Sequence, residues 1–61
     1  MDHRDRVRQR CNWLLASMVG DKLVDQWWAS PNLHWNGQTP ESIFQLYPDE
    51  VYDYLLYYAM K

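Results

Sequence analysis

Trp27-Trp28-Ala29-Ser30-Pro31-Asn32-Leu33-His34-Trp35-Asn36-Gly37-Gln38-Thr39-Pro40 carries the end of one helix, a loop of set length and the start of the next. Two adjacent tryptophans close the first helix. Pro31 stops it, because the residue before a proline is pushed out of the α region. Gly37 can take positive φ at a tight turn. Thr39-Pro40 then offers an N-cap hydroxyl followed by proline at the first helical position. So much positional chemistry in one loop predicts a fixed angle between two helices, and points to a small helical recognition module more than to an enzyme.

Working outward, helical spacing governs both flanks. Val7, Cys11, Leu14, Leu15 and Met18 form one apolar stripe on a first helix predicted from just after Asp2 to Val19. Asp2 and Asp5 suit its positive end. Gly20 is its stop. Asp21 is expected to cap a short second helix to Ala29, with Leu23, Val24, Trp27 and Trp28 on the buried side. Beyond the loop, Thr39 opens a third helix carrying Ile43, Phe44 and Leu46. Pro48-Asp49-Glu50 starts a fourth, proline in its first turn and acids where the helix dipole favours them. That helix has Val51, Tyr54, Leu55 and Tyr58 as its core face and Tyr52, Leu56, Ala59 and Met60 as a second apolar strip. The expected fold is all-α: one compact domain, residues 1–61, of about four short helices. Two apolar strips on one helix exceed what so few neighbours can cover, so a partner or a homodimer is expected.

Size and charge narrow the function. A chain of 61 residues buries only about 60% of the surface its unfolded form exposes, and such chains commonly rely on disulfides, a metal or a partner. Cys11 is alone, which rules out an internal disulfide and suggests a reducing compartment. With His3 and His34 it makes no recognisable zinc set. No cofactor is expected. Ten aromatic residues are a heavy load for this body, and some belong at a contact surface. The longest apolar run, Tyr54 to Met60, is far short of the ~20 residues that span a bilayer, and no signal-peptide pattern follows the charged start. A cytoplasmic protein without membrane contact is the expectation, in the host cytoplasm if phage-encoded.

Net charge is −2, unevenly placed: residues 1–10 hold four arginines against two aspartates, residues 11–61 two lysines against six acids. Arg4, Arg6, Arg8 and Arg10 alternate, so they wrap around the basic helix portion 1–13 and do not line one face. They are candidate contacts to phosphate or to an acidic protein. Their plain alternative is a solvated helix end with Asp2–Arg6 and Asp5–Arg8 pairs worth a few tenths of a kcal/mol.

Of Trp13, Trp27, Trp28 and Trp35, two are expected in the core. Adjacent helical residues point about 100° apart, so Trp27 and Trp28 cannot both face one neighbour squarely. One of them is a candidate for the surface or a partner, and Trp28 is placed in the partner-binding set. Trp35 reads first as a core plug and second as a partner contact. Tyr47, Tyr52, Tyr54, Tyr57 and Tyr58 cluster towards the C-terminal end, where a tyrosine at an interface keeps one end wet. The expected partner-binding set is Trp28, Trp35, Tyr54, Tyr57, Tyr58, Met60 and Lys61, with Trp28→Ala or Tyr58→Ala weakening binding by ~2 kcal/mol while helicity survives. Catalysis finds little support: Ser17, Ser30 and Ser42 lack a companion histidine, and Asp49, Glu50 and Asp53 suit a helix start.

Residues 14–56 resemble the toxin-binding domain of Xre/MbcA/ParS-type antitoxins. The likeness rests on Gly20-Asp21, Trp27, Pro31-Asn32, Trp35, Gly37 and Thr39-Pro40, with Ile43 and Phe44 where that family places large apolar residues. It implies a helical module that associates with itself and holds a toxin of the RES type, which consumes NAD, by obstructing its active-site cleft with a C-terminal segment; Tyr57, Tyr58, Met60 and Lys61 would then be blocking residues. The family carries a DNA-binding domain ahead of this module, and beyond Phe44 the agreement loosens. The expected function is thus a non-catalytic protein-binding module, an antitoxin-like inhibitor or a phage-type inhibitor of a host protein. A structural or virion-associated subunit is one alternative, and a nucleic-acid-binding accessory protein using the N-terminal arginines another.

Overall fold

A computed structural model describes residues 2–61. Four α-helices follow in order: α1 His3–Val19, α2 Val24–Ala29, α3 Pro40–Leu46 and α4 Pro48–Ala59, with 3₁₀ turns at Asp21–Leu23 and Leu33–Trp35. There is no strand among the described residues. α4 packs chiefly on α1, α3 rests on α4, and α2 closes against α3. The core takes Val7, Cys11, Leu14 and Leu15 from α1, Trp28 from α2, Trp35 from the loop, Ile43 and Phe44 from α3, and Val51 and Leu55 from α4.

Local chemistry sets the helix ends. Asp2 caps α1, its carboxylate accepting from the Asp5 N–H at 2.9 Å. Gly20, at φ +88°, reverses the chain after Val19. Ser30 is extended ahead of Pro31, and α2 ends there. Thr39 caps α3, its hydroxyl accepting from the Ser42 N–H at 3.2 Å, with Pro40 at the first helical position. Tyr47 alone joins α3 to α4, so the corner between them is tight.

Five local expectations are corrected. Asp21 gives no side-chain cap: its backbone carbonyl accepts from the Val24 N–H and closes the 3₁₀ turn instead. Leu23, lifted onto that turn, is exposed. Met18 holds the register of the α1 stripe yet is exposed, because periodicity gives direction and not where neighbours end. Leu46 and Tyr58 are exposed for the same reason, each near the end of its helix.

Candidate protein-binding surfaces

Trp28 belongs to the core and is not an outward anchor: only 3% of it is exposed. Three partners hold it. Its indole Nε1–H donates to Asn12 Oδ1 at 2.8 Å, the Arg8 guanidinium lies 3.7 Å over its ring, and Phe44 meets it edge-on at 5.5 Å. The 100° divergence of the two neighbouring tryptophans holds, but Trp27 is the half-buried one. Trp35 is buried too, so neither it nor Trp28 belongs to a contact surface. Replacing Trp28 by Ala would open the core, which typically costs about 3–5 kcal/mol.

Arg8 is likewise withdrawn from the set of free arginines. Its fork bonds Glu41, 2.7 Å from Nη1 to Oε2 and 3.3 Å from Nη2 to Oε1, tying α1 to α3. Hydrogen bonding from Arg8 holds the Glu41 carboxyl below the usual carboxylate range, against the opposing pull of partial burial. Neither Asp2–Arg6 nor Asp5–Arg8 forms an ion pair; at the start of α1 the contact is instead a hydrogen bond between His3 Nε2 and Asp49 Oδ1 on α4, 3.0 Å and exposed.

From the core an aromatic chain runs outward. Trp35 meets Tyr54 at 4.8 Å between ring centres, Tyr54 meets Tyr58 at 4.8 Å, and Tyr58 meets Tyr57 edge-on at 5.2 Å. His34 packs into the same cluster, 4.6 Å from Tyr54. Burial falls along the series: Trp35 is buried, Tyr54 half-buried, Tyr58 exposed, Tyr57 62% and Met60 78% exposed. The Lys61 ammonium stands 5.6 Å from both outer tyrosine rings. The structure thus brings Tyr54, Tyr57 and Tyr58 into one patch with Lys61, in ring contact with the buried Trp35. The Trp35 ring nitrogen is buried with no acceptor among the described residues.

Sequence reasoning missed two other surfaces. Trp13 is 74% exposed and lines an open groove of ≈ 330 Å³ with Arg6, Gln9 and Arg10 on the outer side of α1. Its place at i+7 from Arg6, opposite the apolar stripe, was the available signal. A second open groove, ≈ 210 Å³, is lined by Val19, Leu23, Gln26, Trp27 and Ser30.

The three serines and the one cysteine are satisfied or buried within the fold. The hydroxyls of Ser17, Ser30 and Ser42 donate to the backbone carbonyls of Leu14, Gln26 and Thr39. Burial pushes the Cys11 thiol up to about 11, so it stays protonated and a poor nucleophile at neutral pH. Among the described residues no three His, Cys, Asp or Glu side chains come together as a metal site, and no helix is long and apolar enough to cross a membrane. Comparisons with protein-family models, curated proteins and solved structures returned no match.

Proposed function

We propose that this chain is a non-catalytic protein-binding module that neutralises or modulates a partner by covering a functional surface with its C-terminal aromatic patch. The supporting observation is the exposure of Tyr57 and Tyr58 on α4 and of Met60 just past its end, while Val51 and Leu55 on the inner face are buried. Interface hot spots favour such rings, which contribute large contact area at low entropic cost. Lys61 beside the two tyrosines adds a cation that can reach a carboxylate or carbonyl of the partner. The antitoxin-like form of this reading, a toxin or a phage-targeted host protein held by the C-terminal end of α4, draws its support from the capped loop Pro31–Pro40 and its buried Trp35. Self-association is part of the proposal and uses the uncharged groove at Val19, Leu23 and Trp27.

The test is affinity purification from the native cell with the tagged chain, beside a Tyr57→Ala/Met60→Ala variant. The expected result is one protein at fixed stoichiometry whose activity falls when bound. Its affinity for the variant should drop by at least ~2 kcal/mol with the helical circular dichroism unaltered. Unchanged affinity in the variant, or recovery only with assembled particles and no inhibition, refutes it.

A further inference from the structure

The alternation of Arg4, Arg6, Arg8 and Arg10 splits into two pairs once the helix is formed. At 100° per residue, positions two apart are about 200° apart, while positions four apart are nearly in line. Arg4 and Arg8 therefore share one side, where Arg8 is spent on Glu41 and Trp28. Arg6 and Arg10 share the other, in line with Gln9 and Trp13. Among the described residues neither Arg6 nor Arg10 has an ion-pair partner, and the sequence from Arg6 to Gly20 contains no acid. Among the described residues the Trp13 indole makes no ring contact with the aromatic cluster and no side-chain hydrogen bond. An indole left in water beside two free guanidinium groups has no role in holding this fold.

We infer that the Arg6–Gln9–Arg10–Trp13 stripe of α1 is a docking site for a short acidic segment of a partner protein, its carboxylates about 6 Å apart along the helix rise between Arg6 and Arg10 and one apolar side chain laid on Trp13. Charge complementarity selects the carboxylates, and the guanidinium fork suits them geometrically. A nucleic acid fits less well. The stripe is only about 10 Å long, the chain is −2 overall, Asp2 and Asp5 stand at the N-terminal end of α1, and the other exposed acids Asp21, Asp25, Asp49, Glu50 and Asp53 lie on other elements, so a long polyanion meets repulsion beyond the stripe. This inference rests on the protein-binding reading but uses a face separate from the C-terminal patch, so the two fail separately.

The experiment titrates the full chain with a short peptide of Asp, Glu and Leu, its Asn/Gln/Leu counterpart, and an oligothymidylate of equal charge, reading affinity by titration calorimetry and the Trp13 indole N–H by NMR. The acidic peptide should bind at least tenfold tighter than the other two and move the Trp13 resonance. Arg6→Glu/Arg10→Glu should abolish that binding, and Trp13→Ala should weaken it roughly tenfold. Arg4→Glu, a single charge reversal on the opposite side, and Tyr57→Ala should leave it within twofold. Tighter binding of the oligothymidylate, no binding by any probe, equal loss in Arg4→Glu, or a Trp13 resonance that moves with protein concentration alone would each overturn the proposal.

Discussion

Arg8 joins three elements through one side chain: it leaves α1, covers the Trp28 ring of α2 at 3.7 Å and grips Glu41 of α3 with both arms of its fork. Both partners of the ion pair keep substantial contact with water, so screening holds its Coulomb share to about 1 kcal/mol or less; the planar stack on Trp28 adds about 0.5–1 kcal/mol. Arg8→Lys keeps the charge and loses fork and stack, and should lower unfolding stability by about 1 kcal/mol in urea. Glu41 adds a pH dependence whose sign follows from its depressed carboxyl. A group that ionises more easily when folded stabilises the fold above its unfolded pKa, and that stabilisation is lost as pH falls through the folded value. The stability advantage of the natural chain over Glu41→Gln should accordingly be present at pH 7 and fade below about pH 4.5, the carboxyl's ordinary value; an equal difference at pH 7 and pH 3 would count against the pairing. None of this was legible from the residues in line. The geometry of adjacent helical positions told that Trp27 and Trp28 diverge, but which one turns inward depends on Asn12, Arg8 and Phe44, all 16 or more residues away in sequence.

The loop between α2 and α3 closes on Asn32. Its N–H donates to the Gln38 carbonyl at 3.0 Å, its own carbonyl accepts from Trp35 and Gly37, and its side chain accepts from the His34 N–H at 2.9 Å. The two ends of the loop are thereby tied together, with Asn36 and Gly37 both at positive φ on the return. The result drives Trp35 into the core while Leu33 stays 94% exposed. Stop and start signals of this kind act within a few residues, which is why Gly20, Pro31, Thr39 and Pro48 marked the helix boundaries from sequence. The 3₁₀ turn at Asp21–Leu23 and the unburied end of the α1 stripe depend on what packs where, and so stayed hidden. Gly37→Ala meets free space around the new Cβ, so its cost is backbone strain at φ +86°, about 1–2 kcal/mol. Thr39→Ala should cost about 1 kcal/mol through the lost cap, and Thr39→Ser should restore nearly all of it. Chemical denaturation of the three variants checks both; a fully stable Gly37→Ala chain would mean the loop is not held as described.

Across the whole molecule, large apolar side chains stay in water on several elements: Trp13 on α1, Leu23 before α2, Leu33 in the loop, Leu46 on α3 and Tyr57 on α4. A chain of this size has a small stability margin, and any molecule that binds only the folded state raises it by mass action. Which face can meet a second copy follows from charge. A two-fold interface sets each patch against itself. The α1 stripe would then oppose arginines to arginines, and the C-terminal patch would bring Lys61 towards Lys61. The groove lined by Val19, Leu23, Gln26, Trp27 and Ser30 contains no charged side chain and can face its own image without repulsion. Sedimentation should therefore show a dimer whose melting temperature rises with protein concentration. Val19→Ser/Leu23→Ser should return the chain to monomer and remove that dependence, with helicity kept because both positions are exposed. Tyr57→Ala and Trp13→Ala should leave the dimer intact, which keeps the self-contact apart from the two partner faces. A monomer at every concentration would refute the self-contact and leave those faces standing on their own tests.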